Sequence, residues 1–125
     1  MANVEELAGA FNATLEGGDA DVLVAHYAPG AIIWHNHDRA EVDAVENMAA
    51  IGMLGQIVDD PKIETILLAP TPDGFVMQFA LRGTVAGTDK PFEMHNAIIV
   101  STNADGQITR IDEYVDPTIG AQLAP

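Results

Sequence analysis

The stretch "WHNHDRAE" at residues 34–41 gathers His35, His37, Asp38 and Glu41 behind a short apolar run. On a strand, His35 and His37 point to one side, and Glu41 follows within reach of a three-ligand metal site. The same histidines suit acid/base work, because imidazole titrates near neutrality and one ring takes a proton while another donates. A structural role competes with both, since Asp38 with Glu41 repeats the spacing of a helix capping box. Farther along, His95 lies among apolar neighbours in "FEMHNAIIV", and Asp116 stands in "EYVDP". Asp112 and Glu113 alternate on the same segment, so at most one of them faces inward. His26 reads as a helix-surface residue.

Bulk properties narrow the chemistry. The 125 residues carry nineteen acids, five bases and no cysteine, for a formal charge of −14. That balance excludes phosphate-backbone binding as a main activity and disfavours anionic membranes and anionic substrates. Without cysteine there is neither thiolate chemistry nor a disulfide framework. No apolar run approaches the ~18 residues of a membrane span, and "MANVEELAGA" lacks the basic start and long apolar run of a signal peptide. A cytoplasmic chain forming one domain over 1–125 is expected, with a small apolar or weakly polar partner molecule, no nucleic acid and no membrane.

The elements that must position these groups follow from periodicity. Residues 3–16 form a helix, opened by Asn3 with Glu6 and patterned by Val4, Leu7, Phe11 and Leu15. Asp19 opens a shorter helix through Val22, Leu23 and Tyr27 that Pro29-Gly30 ends. Residues 32–35 are a strand. Asp38 then caps a third helix, through Val42, Val45, Met48 and Met53 toward Val58. From Lys62 onward, "KIETILLA", "GFVMQFALRGTV", "PFEMHNAIIVST" and "QITRIDEYV" are strands of an antiparallel meander, turned by Asp-Gly pairs at 73–74 and 105–106. Helices first and strands after imply an α+β architecture, with three helices on a curved, mainly antiparallel sheet. Strands "MHNAIIV" and "FVMQFAL" are apolar on both faces while helices cover only one, which predicts a homodimer through the sheet.

With this order, "GGDADVLVAHYAPGAIIW" and the closing "DGQITRIDEYVDP" resemble the SnoaL-like polyketide cyclase and ketosteroid isomerase superfamily, whose fold is called nuclear-transport-factor-2-like. The likeness runs over essentially the whole chain and implies a cone-shaped fold with a pocket between the concave sheet face and the helices. It places His35 where the isomerases carry their aspartate base, His95 at the position of the oxyanion donor, and Phe11 where the first helix has a tyrosine. With all three positions changed, the steroid reaction itself is not expected. Related cyclases pair a histidine with an aspartate, and Asp116 is the carboxylate in the matching region. Epoxide hydrolase members use an aspartate-arginine-aspartate set, but Arg82 and Thr84 come with no aspartate. Gly-x4-His-x-His-x3-Glu also resembles the first metal motif of cupins, but two helices precede it and the second cupin motif is absent.

These readings combine into one expectation. A cofactor-independent, metal-free acid/base enzyme of isomerase, cyclase or dehydratase type acts on a small apolar or cyclic substrate; the alternative is a non-catalytic binding domain using the same pocket. His35, His95 and Asp116 are the expected catalytic groups. Phe11, Tyr27, Trp34, Met53, Met77, Phe79 and Glu113 are the expected substrate-binding residues, with His35 and His95 sharing one cavity.

Overall fold

A computed structural model describes residues 3–123 of the chain; residues 1, 2, 124 and 125 lie outside it. Helix α1 spans Val4–Leu15, and the Asn3 side chain accepts the Glu6 N–H at 2.8 Å, satisfying one of the free donors of its first turn. Its apolar stripe buries Leu7, Ala8, Ala10 and Phe11. Helix α2 (Ala20–Val24), capped by Asp19, buries Leu23. Strands β1 (Tyr27–His35), β2 (Glu41–Asp43), β3 (Val58–Thr71), β4 (Gly74–Val85), β5 (Pro91–Thr102) and β6 (Ile108–Val115) build one curved sheet. Helices α3 (Met48–Ile57) and α4 (Ile119–Gln122) complete the elements.

The sheet order is β2-β1-β6-β5-β4-β3. The expected meander is present, with β3 through β6 antiparallel in sequence, and β1 enters beside β6 in parallel. The concave face supplies the larger core, where Phe75, Met77 and Phe79 meet Leu7, Phe11 and Leu23. A second cluster joins Val58, Leu81, Phe92 and Met94. Met77 and Phe79 are wholly buried in the first cluster, so they support the pocket from beneath and do not line it.

Three local readings differ from the sequence expectation. Tyr27 opens β1 instead of closing α2, and Pro29-Gly30 lie inside the strand, where the register with β6 shifts between Tyr27 and Ile32. Gly30, at φ +77°, takes up this irregularity without a Cβ penalty. The third helix begins at Met48, not at Asp38. The Asp38 carboxylate accepts the Ala40 N–H at 2.9 Å in a turn, and Val42 pairs with Ile33 as β2 extends the sheet edge. Asp43 then accepts the N–H groups of Val45 and Glu46 and turns the chain toward α3. Helix α4 is too short for periodicity to reveal. Helix α3 has no buried residue, and Met53, expected in the pocket wall, is 64% exposed on its outer side.

Candidate functional site

A cavity of about 190 Å³ opens between α1, α3 and the concave sheet face. Phe11 and Leu15 of α1 form one wall, and Ala50, Ile51 and Leu54 of α3 form another. Ile33, Met94 and Val115 make an apolar floor, with Ile119 of α4 at one end. Against this lining stand His35, Glu113 and Asn96 from three neighbouring strands, with His37 and Asn47 toward the opening.

Strand register explains the polar row. His35 and Glu113 are paired residues of β1 and β6, and Asn96 of β5 pairs with Val115, one step diagonal from Glu113. Diagonal neighbours on one face stand roughly 7–8 Å apart, a gap one small functional group spans. His35 Nε2 lies 3.6 Å from Glu113 Oε1, and these side chains are only 15% and 21% exposed. Burial raises the Glu113 carboxyl above its ordinary range, while the nearby charges of His35 and His37 pull against that rise. Asn96 is 6% exposed and its Oδ1 is buried without a hydrogen-bond partner. A buried acceptor left unpaired costs on the order of 1–3 kcal/mol, so this atom is set for a ligand group.

Tyr27 lies beneath this row. Its hydroxyl is buried with no partner, and burial first, then the Glu113 charge, raises its pKa well above the ordinary phenol value. The His37 ring stands 5.4 Å from that of His35 at the opening, is half-exposed, and sits 3.6 Å from Asp38.

Other expected residues fall elsewhere. His95 does not share the cavity: it points outward from β5, half-exposed, with Nε2 2.7 Å from Glu93 Oε1. Its face is fixed by alternation, since Met94, Asn96, Ile98 and Val100 are the buried series of β5. Asp116 follows β6 and turns toward Thr118, accepting both its N–H and its hydroxyl. The backbone donor first, then the hydroxyl, holds its carboxyl below the usual range. Trp34 lies on the outer face against Tyr114, ring centroids 5.4 Å apart. Glu41 also faces outward, 3.6 Å from Arg110, so it does not join His35 and His37 as a third ligand. Among the described residues no group of three or more His, Cys, Asp or Glu is placed to hold a metal ion. Phe11 and Glu113 do line the cavity, while Asn96 was missed although the apolar residues two and four places on either side of it marked its face.

The raised Glu113 carboxyl gives a stability prediction with a definite sign. A group whose folded value lies above the unfolded ~4.3 contributes stability that is fully present below ~4.3 and is lost as pH rises through the folded value. Glu113→Gln, which keeps the shape without the charge, should therefore melt above the parent at about pH 8 and show no such advantage near pH 4. Each kcal/mol corresponds to about 4 °C in a chain of this size. Parallel melting curves across that range would contradict the burial cost assigned to this group.

Comparison with known proteins places these features in a family. The family model of the SnoaL-like domain matches residues 8–111. No match was found among curated proteins. Among solved structures, IdmH of Streptomyces antibioticus, a candidate polyketide cyclase, is 20% identical with a TM-score of 0.82, covering 98% of this chain and 99% of its own. An NTF2-like protein of Burkholderia thailandensis is 20% identical with a TM-score of 0.78 over 100% of both chains. A protein of ketosteroid isomerase-like fold from Catenulispora acidiphila, solved with trimethylamine, is 16% identical with a TM-score of 0.77, covering 96% of this chain and 93% of its own. At such identities the structural likeness carries the fold alone. Among the described residues no helix is long and apolar enough to cross a membrane. The family match spans most of the chain and the fold agrees with it throughout, and the chain belongs to the SnoaL-like domain family.

Proposed function

We propose that this protein is a cofactor-independent acid/base enzyme that moves a proton on a small, neutral, oxygen-bearing ring compound, in an isomerisation, cyclisation or dehydration. The observation that carries this reading is the His35–Glu113 pair at 3.6 Å, largely buried at the polar end of an apolar cavity beside the unpartnered Oδ1 of Asn96. Glu113 and His35 act as one unit: the carboxyl has lost water and holds its proton more tightly, which makes its ionised form a stronger base. A proton taken from a carbon next to a carbonyl leaves negative charge on the oxygen. The Asn96 amide holds that oxygen, accepting a substrate hydroxyl on Oδ1 or, rotated by half a turn, donating N–H to the developing oxyanion. The formal charge of −14 favours a neutral substrate over an anionic one.

The natural substrate need not be identified for the test. Monocyclic ketones and enones in heavy water, followed by proton NMR, should lose their α-proton signals faster with enzyme than in buffer. A panel in which none exchanges faster, although some bind, would leave the binding-domain reading. Phe11 supports that second reading, because it lines the cavity with a ring that donates no hydrogen bond.

We also propose that the protein works as a homodimer through the outer sheet face. Ile99 and Tyr114 are 42% and 46% exposed there, and the Trp34 ring lies tilted against Tyr114. Exposed apolar surface of this kind is normally covered by a partner. Light scattering at micromolar concentration should give twice the chain mass, and a monomer mass would remove the claim.

A further inference from the structure

Leu15 of α1 and Ile51 of α3 each line two cavities. One is the 190 Å³ pocket, and the other is an open groove of about 430 Å³ between the end of α1, the start of α2 and the far side of α3. They are the two residues common to both walls among the described residues. Leu15 is anchored, packing against both buried clusters. Ile51 packs against neither cluster, so its side chain serves the boundary between the two spaces and not the core. Beyond it the groove wall is bare helix: a Cβ at Gly52 or Gly55 would meet no atom within 4 Å.

We infer that Ile51, braced by Leu15, is a specificity-determining partition that limits the ligand at the His35–Glu113–Asn96 row to a single ring with a few substituent atoms. The size argument is direct. A dry cavity of about 150 Å³ accommodates benzene, and ordinary small-molecule pockets run to roughly 300–1,000 Å³. At about 190 Å³ the pocket takes one ring, and a second ring that extends toward α3 must displace Ile51. Cutting this side chain back to Cβ joins pocket and groove, and the open space beside Gly52 and Gly55 then receives the longer ligand. The inference rests on the reading that the pocket is a ligand site, and its test separates the two.

Phenol and 4-phenylphenol share one hydroxyl for the polar row and differ by one ring, so they serve as probes. In the wild-type chain, phenol should shift the NMR signals of the Asn96 amide and the His35 ring, and 4-phenylphenol should bind about tenfold more weakly or worse. Ile51→Ala should tighten 4-phenylphenol by about tenfold, ~1.4 kcal/mol, while phenol changes by less than about threefold. Ile51→Met, which restores the volume, should restore the discrimination. Equal affinities for the two phenols in the wild type would overturn the partition, whatever the variants do. So would an unchanged 4-phenylphenol affinity in a folded Ile51→Ala protein. Phenol that binds without moving either pocket signal, or fails to bind, would instead overturn the ligand-site reading beneath it.

Discussion

His35→Ala is expected to slow proton exchange on a responsive ketone by about 10²–10⁴-fold, the usual worth of a positioned acid or base. The imidazole stands 3.6 Å from a largely buried carboxyl, and the proposed proton transfer needs both groups. Removing it takes away one of the two histidines that oppose the burial of Glu113 and leaves the carboxyl without its proton-transfer partner. Binding of phenol should change far less, because the apolar walls and Asn96 are untouched. Two outward controls sharpen the result. His95→Ala and Asp116→Asn should leave exchange within about twofold, since neither side chain lines the cavity. A rate that survives His35→Ala, or falls equally in His95→Ala, would dismiss the pair as the proton-transferring unit.

Gly74→Ala should be the most damaging single-methyl change to stability. Gly74 opens β4 at φ +157°, paired with both Thr71 and Ser101. A Cβ there would stand 1.9 Å from the Val100 carbonyl oxygen and 2.8 Å from its carbon. The obstacle is backbone, held in place by the Thr102 N–H donating to Asp73 at 2.7 Å, so no side-chain rotation relieves it. Conformational strain and overpacking of about 1–3 kcal/mol each put the loss at ~2–6 kcal/mol, or a melting temperature about 8–24 °C lower. Gly52→Ala on α3 is the matched control, with open space around the new methyl and better helix propensity by about 1 kcal/mol. Equal melting temperatures for the two variants would contradict the close approach at Gly74.

Much of the architecture was legible because periodicity and turn chemistry are local. The last four strands and their Asp-Gly turns appear where the sequence places them, except that β3 begins at Val58, ahead of Lys62, and α1 with its Asn3 cap appears as expected. The stretch 38–47 misled for a local reason as well: Asp38 and Asp43 cap turns with the same side-chain chemistry that caps helices, and only pairing with β1 makes 41–43 a strand. Half of the site was readable. Glu113 lies between Ile111 and Val115, so alternation alone turned it inward. For β5 the same rule favoured Asn96, flanked by Met94 and Ile98, and put His95 on the side of Glu93. Placing His95 in the pocket came from counting back along a related pattern, and a shift of one residue on a strand reverses the face. Ile51 and Leu54 were not distinguishable from ordinary helix residues, because the cavities they border are formed by elements distant in sequence.

The parallel pairing of β1 with β6 also has a consequence during synthesis. His35 emerges from the ribosome 78 positions ahead of Glu113, and β1 lacks its inner neighbour until β6 follows. Throughout that interval the edge of β1 is open, with Ile33 and Trp34 available to any passing strand. Contacts of such long sequence separation form slowly, and His35 and Glu113 meet only after nearly the whole chain has been made. The nascent chain therefore lacks the finished cavity until β6 is made, because Glu113 and Val115 of that strand supply part of its lining. The apolar edge of β1 is most open to misplaced strand pairing in the interval between the two strands.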